Sequence, residues 1–348
     1  MTSFFMPDNR RRRLALLAAL LATAYALAGS RLDLAARAPA CEFDKVERIV
    51  AVGDVHGAHD RFLEILRAAA VIDVGNRWVG GRTHLVQTGD VLDRGPDSRQ
   101  ALEFLRRLAR EAERAGGRVH ALLGNHEVMR MLGDFRYVAP GEYAAFTDAD
   151  SVATRRVVIE SVPAGDRARI EKETPLGMIE MIRAFGPTQE LGAYLRSLNV
   201  VVRINGIVFL HGGISPAVAA KTCSTINDTV RREIGRDLEK TRKAPRESLA
   251  TAEDGPLWYR GLANEPDTFA PEVRQILDAQ QARAIVVGHS AEPGPIRSRF
   301  DRTVFLLDTG MQPAYLPTGR ASALEIRGDV FTAIYKDSRQ VIAGGGVQ

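Results

Sequence analysis

Cysteine is nearly absent: Cys41 and Cys223 are the only two in 348 residues, so the chain can close at most one internal disulfide. In an exported domain that bond would tie the start of the mature chain to the body. The other reading is two unrelated thiols. Charge of one sign is also scarce, since the formal net charge is +4 and part of it comes from Arg10, Arg11, Arg12 and Arg13 in a segment unlike the rest. The basic balance is therefore no sign of nucleic-acid binding. A membrane span needs about 20 apolar residues, and Leu14 to Ala28 supplies fifteen. No internal repeat of useful length is present.

That short run is informative for what flanks it. Four arginines precede it, and small residues at Ala24 and Ala26, or Ala26 and Ala28, suit cleavage, so residues 1–40 have the layout of a secretory signal peptide. An uncleaved membrane anchor over residues 10–30 is the alternative. Either way the basic flank keeps the N-terminus cytoplasmic and sends the remainder across. The expected location is extracytoplasmic, periplasmic or secreted. Cys41 does not read as a lipoprotein cysteine, because Ala38-Pro39-Ala40 lacks the usual leucine and lies far from the apolar run.

The remainder has an ordinary globular composition, with 45% hydrophobic and 26% charged residues, so one catalytic domain is expected over 41–340, followed by a flexible tail over 341–348. Arg48 to Val52 is a β-branched run that ends in Gly-Asp and reads as a buried strand feeding a loop. Asp60 to Ala70 has helical spacing. The same strand, loop and helix order recurs with Thr83 to Gln87 and Ser98 to Ala115, and Arg118 to Leu123 is a third strand. That order argues for an α/β domain with its functional residues on loops at strand ends. Residues 131–186 lose the pattern, apart from helical stretches near Arg155 and Ile179, and read as an insertion or cap. Strands return at Val200 to Ile204 and Gly206 to Leu210, with Asn205-Gly206 as a hairpin turn. Further strands are expected at Ala284 to Val287, Thr303 to Leu307, Ala323 to Ile326 and Val330 to Tyr335.

Five short clusters place a metal-capable side chain directly after an expected strand. They are Gly53-Asp54-Val55-His56-Gly57, Gly89-Asp90-Val91-Leu92-Asp93-Arg94-Gly95, Gly124-Asn125-His126-Glu127, His211-Gly212-Gly213 and Gly288-His289. One histidine alone would read as a core or capping residue. The set reads as a site. Mixed oxygen and nitrogen donors suit manganese, iron and zinc, whereas calcium and magnesium favour oxygen alone.

These motifs resemble those of the calcineurin-like metallophosphoesterase superfamily, and within it the phosphoprotein phosphatase family, particularly its Shewanella-like bacterial serine/threonine phosphatase branch. The resemblance runs from Ile49 to Tyr335 and implies a four-layer αββα sandwich with a dinuclear metal site at the strand ends. By position, Asp54 and His56 would hold one ion, Asn125, His211 and His289 the other, and Asp90 would bridge them. His126 resembles the general acid and Asp93 its carboxylate partner. Arg94 resembles the phosphate-binding arginine, and Arg260, within Gly255-Pro256-Leu257-Trp258-Tyr259-Arg260-Gly261, a second one.

In such a site two ions about 3.5 to 4 Å apart activate a bridging water for in-line attack at phosphorus. His126 would protonate the leaving oxygen, and the arginines would neutralise the remaining phosphoryl oxygens. Two divalent ions are thus expected, manganese or iron before zinc. The substrate would be a phosphorylated protein, a peptide or a small phosphate ester, and any membrane contact would run through the N-terminal segment alone.

Some features depart from the eukaryotic pattern. Leu123 stands where arginine is usual, Ser290 follows His289 in place of threonine, and no counterpart is evident of the C-terminal loop that brings a tyrosine and an asparagine to the site. Glu127 reads as hydrogen-bonding support for the ligands, His59 as a surface residue, and His84 and His120 as ordinary strand residues. A diadenosine-tetraphosphate hydrolase is the enzymatic alternative, against which Asp93 and Glu127 speak. A non-catalytic binding protein is the third reading, against which the intact ligand set speaks.

Overall fold

The computed structural model describes residues 39–344; the signal or anchor segment expected over residues 1–40 lies outside them except for its last two positions. Among the described residues no helix is long and apolar enough to cross a membrane. Two sheets of six strands each form the centre. In chain order the strands are β1 (Glu42–Phe43), β2 (Ile49–Val52), β3 (His84–Gln87), β4 (Arg118–Ala121), β5 (Val201–Ile204), β6 (Ile207–Leu210), β7 (Ala284–Val287), β8 (Arg297–Arg299), β9 (Val304–Leu306), β10 (Ala323–Arg327), β11 (Val330–Ile334) and β12 (Arg339–Ala343). One sheet has the order β1-β5-β6-β7-β9-β8 and the other β12-β11-β10-β2-β3-β4. The sheets face each other, and Phe305 of β9 stacks on Phe331 of β11 with ring centroids 4.4 Å apart. Helices cover the outer faces, giving the expected αββα sandwich.

Strand register places the site. β2, β3 and β4 are parallel, with Val52 opposite Gln87 and Gln87 opposite Ala121. β6, β7 and β9 are parallel in the other sheet, with Leu210 opposite Val287 and Val287 opposite Leu306. Each group therefore releases its loops at one level. The strands are buried on both faces, as their continuous β-branched runs require. Asn205 and Gly206 both have positive φ, 52° and 70°, which gives the two-residue turn joining β5 to β6 the twist that antiparallel strands need.

Helices α1 (His59–Ala68), α2 (Ser98–Arg114) and α3 (Asn125–Leu132) follow the first three ligand-bearing loops. The 131–186 segment holds α4 (Pro140–Ala144), α5 (Ser151–Glu160), α6 (Ala164–Glu173) and α7 (Met178–Ala184), so the helical stretches expected near Arg155 and Ile179 are α5 and α7. Beyond them come α8 (Glu190–Ser197), α9 (Cys223–Glu233), α10 (Leu238–Lys243), α11 (Gly261–Asn264) and α12 (Ala270–Ala279).

Two sequence expectations need correction. The tail begins later than expected, because β12 pairs antiparallel with β11 as far as Ala343. His59 is buried, not on the surface: it opens α1 on the same face as Phe62, Leu63 and Leu66, and its ring meets Phe104 edge-on. His84 and His120 are strand residues, as expected, in β3 and β4. They face each other across β3 and β4 with ring nitrogens 3.1 Å apart, and Phe43 of β1 packs edge-on to both.

Cys41 and Cys223 are joined as a disulfide, with Cα atoms 6.3 Å apart. Cys223 is the first residue of α9, whose cap is the Thr222 hydroxyl accepting from the Thr225 amide. The bond fastens the short β1 strand to the body beside β5.

Candidate metal centre

All six expected ligands converge where the two parallel strand groups end. Asp54 and His56 leave β2, Asp90 leaves β3, Asn125 opens α3 after β4, His211 follows β6, and His289 follows β7. All are buried. Asp90 is at the centre: its Oδ2 lies 3.6 Å from His56 Nε2, 3.8 Å from His126 Nε2 and 3.2 Å from His211 Nε2. Two groups of potential ligand atoms, His56–Asp90–His126 and Asp90–His211–His289, share Asp90, the residue expected to bridge. His126, expected as an acid, sits in the first group. Asp54 lies just beyond, 3.9 Å from both His56 and His211.

Backbone contacts fix which imidazole nitrogen faces inward. His56 Nδ1 sits 2.9 Å from Leu92 O and His211 Nδ1 3.0 Å from Thr88 O, so each Nδ1–H donates to a carbonyl and turns Nε2 toward the other expected ligands, His211 Nε2 lying 2.8 Å from Asn125 Oδ1. Burial pushes the His56 pKa down to about 3 and, with His211 beside it, pushes His289 well below its usual value. Both rings are therefore neutral and ready to bind. The His289 Nε2 is buried without a hydrogen-bond partner.

The acids point the same way. Burial, then the neighbouring Asp308 and Asp90, raises Asp54 well above the carboxylate range. Burial also raises Asp308. Burial would raise Asp90 too, but His211, His126 and His56 outweigh it and hold its pKa well below the usual value. Three crowded carboxyls and a buried lone imidazole nitrogen form a cluster that divalent cations would neutralise. The donor set fits two ions, with Asp54, His56, Asp90, Asn125, His211 and His289 as the residues to hold them.

His126 differs from its neighbours. Its Nδ1 donates to Asp93 Oδ2 at 2.6 Å, and although burial opposes it, the charges of Asp90 and Asp93 raise its pKa. Asp93 is itself held low, against burial, by Arg130 and His126. The carboxylates around His126 thus favour the protonated form of the imidazole beside the ligand cluster.

Two arginines border the site. Arg94 donates its backbone amide to Tyr137 O at 2.8 Å, and its guanidinium lies over Tyr315 at 3.6 Å and over Tyr137 at 4.9 Å. Its charge is felt by His56 and His126. Arg260 donates to His289 O at 2.8 Å, so it borders the other half of the site. Tyr315 also meets His56 edge-on, which brings to the site a C-terminal loop tyrosine that the motif reading did not find.

Glu127 knots the loops together. Its carboxylate accepts from the amides of Gly124, Asp90, Val91 and Leu92 at 2.7, 2.9, 2.9 and 3.1 Å. The loops after β3 and β4 touch so closely that a Cβ on Gly124 would strike the Asp90 amide and carboxylate. Five site residues, His56, Asp90, Asp93, Arg94 and His289, have φ between 48° and 69°, in the left-handed region. Each costs of order 1 kcal/mol or more, so the fold bears strain to hold these side chains in place.

Asp308, Arg130 and Glu142 escaped the sequence reading. Asp308 follows β9 and precedes Thr309-Gly310, the same strand-then-ligand pattern as the other clusters, so its signal was there to read. Arg130 and Glu142 gave none.

Residues 47–293 match the model of the calcineurin-like phosphoesterases. The chain is 31% identical over 306 residues to Shewanella-like protein phosphatase 2 of Arabidopsis thaliana, covering 82% of this chain and 77% of that protein. It is 33% identical over 284 residues to an uncharacterized protein of Schizosaccharomyces pombe, covering 80% and 76%. Among solved structures it is similar to the cold-active protein-tyrosine phosphatase of a psychrophilic Shewanella species, with a TM-score of 0.70, 27% identity and coverage of 88% and 83%.

Proposed function

The chain belongs to the calcineurin-like phosphoesterase family and is a metal-dependent phosphatase, and from that premise we propose that it removes phosphate from phosphorylated proteins or peptides outside the cytoplasm. The observation that carries the reading is the His126–Asp93 pair: a buried imidazole, its Nδ1 2.6 Å from its carboxylate partner, next to the ligand cluster. A general acid is needed when an alkoxide leaves phosphorus, because the leaving oxygen gains charge as the P–O bond breaks. His126 Nε2 would hold that proton. Arg94 and Arg260 would pair with phosphoryl oxygens through charge-assisted hydrogen bonds. When bound, two divalent ions supply Lewis acidity and an activated water. The mixed oxygen and nitrogen donors favour manganese or iron, with zinc also accommodated.

The protein-phosphatase reading is supported by relatives named as phosphatases and by the Asp93 and Glu127 positions. The location is supported by the Cys41–Cys223 disulfide, a bond that oxidising compartments permit, and by the arginine-led apolar run at Leu14 to Ala28. Metal-reconstituted protein assayed side by side on phosphoserine, phosphothreonine and phosphotyrosine peptides and on a dinucleoside polyphosphate tests the substrate class. Preferred turnover of a phosphopeptide is expected; strong preference for the dinucleotide would overturn it. Fractionation of expressing cells tests location, and a cytoplasmic protein with both thiols reduced would overturn that part.

A further inference from the structure

Behind the proton donor lies a chain of charges that reaches out of the active-site loops into the 131–186 segment. His126 and Arg130 are one turn apart on α3, so both face the same way. A carboxylate between the two can accept from both. Asp93 fills that place: its Oδ2 accepts from His126 at 2.6 Å and its Oδ1 from Arg130 Nη2 at 2.5 Å. The same Nη2 donates to Glu142 Oε1 at 2.7 Å, and Glu142 Oε2 accepts from the Ser98 hydroxyl at 2.9 Å. The side chains of Asp93, Arg130 and Glu142 are all 0% exposed.

The rest of the guanidinium is enclosed by the same segment. Arg130 Nη1 lies 3.2 Å from Met181 Sδ, and its Cζ is 4.9 Å from the centre of the Phe185 ring. Its Nε is buried without a partner. Glu142 is on α4, Met181 on α7, and Phe185 directly follows α7. So three residues of the segment fix one arginine, and that arginine fixes one oxygen of the carboxylate whose other oxygen holds His126. A buried ion pair of this kind contributes little net stability compared with an apolar pair of similar volume, so stability alone does not account for it. Orientation of the acid is a further reason for it.

We propose that Glu142 is a positioning residue for the phosphatase reaction: it anchors Arg130, which holds Asp93 in the rotamer that aims the His126 ring at the leaving oxygen. The 131–186 segment is thereby part of the proton-donating machinery through α4 and α7. This rests on the reading of His126 as the general acid.

The test is dependence on the leaving group. A phosphoserine peptide releases an alkoxide and needs the proton; dinitrophenyl phosphate releases a stabilised phenolate and does not. Glu142→Gln keeps the shape of the side chain and removes its charge. In the metal-loaded protein it is expected to lower kcat on the phosphoserine peptide about tenfold or more, while kcat on dinitrophenyl phosphate stays within about threefold of wild type. In metal-free protein carrying isotope-labelled histidine, the Nδ1–H resonance of His126 is expected to be sharp in the wild type and exchange-broadened in the variant.

Equal losses on both substrates, no loss on either, or an unchanged His126 resonance would overturn the proposal. If Glu142→Gln does not fold, the combined Arg130→Met and Glu142→Leu variant removes both charges together and is expected to show the same split. His126→Asn separates this proposal from the reading beneath it. A large split in His126→Asn with none in the Glu142 variants rejects Glu142 alone, and no split in His126→Asn rejects the general acid itself.

Discussion

Replacing both Cys41 and Cys223 by alanine opens a covalent loop that spans 182 positions. In the loop-closure description the bond removes chain entropy from the unfolded state, and a loop of 182 positions corresponds to roughly 5 kcal/mol at room temperature. The end it holds is also fastened by pairing with β5, by Phe43 packed on His84 and His120, and by backbone hydrogen bonds. Cys41 O accepts from the Arg203 amide at 2.7 Å, Phe43 O from the Asn205 amide at 2.9 Å, and Ala40 O from the Asn199 side chain at 3.1 Å. Each is worth about 1 kcal/mol net. Without the bond β1 opens locally before the rest unfolds, so the global loss is expected at about 3 to 5 kcal/mol. Urea unfolding of the oxidised wild type and the double variant reads that difference, and hydrogen exchange at Arg203 and Asn205 reads the local opening. Phe43 pairs with Ile204 at the end of β5 away from the ligand loops, so metal content is expected to stay unchanged. A loss under about 1 kcal/mol, with the wild type verified as free of thiols, would refute the reasoning.

Acid should destabilise the fold through the histidine pair between β3 and β4. Burial and the charge of His84 push the His120 pKa down to about 3, and burial pushes His84 to about 4. An unfolded histidine titrates near 6.5, so below that pH the unfolded chain binds protons that the native one does not, and stability falls as pH drops toward 4. For His120 the slope is at most about 1.4 kcal/mol per pH unit. His120→Asn is expected to flatten the urea midpoint against pH between about 6.5 and 4, and an unchanged slope would reject the assignment. Glu127→Ala leaves the amides of Gly124, Asp90, Val91 and Leu92 without their shared acceptor. At about 1.5 kcal/mol or more for a hydrogen bond to a charged group, it should cost at least about 3 kcal/mol by thermal or urea unfolding and loosen the metal site. A cost within about 0.5 kcal/mol, as for a surface substitution, would show that those amides find other partners.

How much of this was legible in the sequence follows from what each residue answers to. The ligand loops were readable because a parallel strand buried on both faces is a β-branched run, and the residue just beyond it must turn. Ile49 to Val52 and Ala284 to Val287 announce Asp54 and His289 in that way. His84 to Gln87, with Val86 its only β-branched residue, announces Asp90 chiefly through the Gly89-Asp90 that follows it. His59 was misread although its spacing to Phe62, Leu63 and Leu66 marks the buried face of α1. Arg130 and Glu142 could not be found this way. An arginine on a short helix reads as solvated, and its partner is twelve positions on, in a stretch with no regular pattern. Their pairing depends on α4 and α7 folding back over α3, a tertiary fact with no local sign. The edge strand β8, Arg-Ser-Arg, and the outer strand β12 were missed because edge strands carry charge in place of an apolar alternation.

The central claim is that the ligands around Asp90 hold two divalent ions on which phosphate-ester hydrolysis depends. Metal content per chain should therefore be measured together with hydrolysis of a phosphate ester, in the wild type and in Asp90→Asn, before chelation, after it and after metal is restored. About two ions per chain are expected in the wild type, with activity lost on chelation and regained on restoration, and neither full occupancy nor activity in Asp90→Asn. Hydrolysis that persists in metal-stripped wild type, or at wild-type rate in Asp90→Asn, would contradict the account.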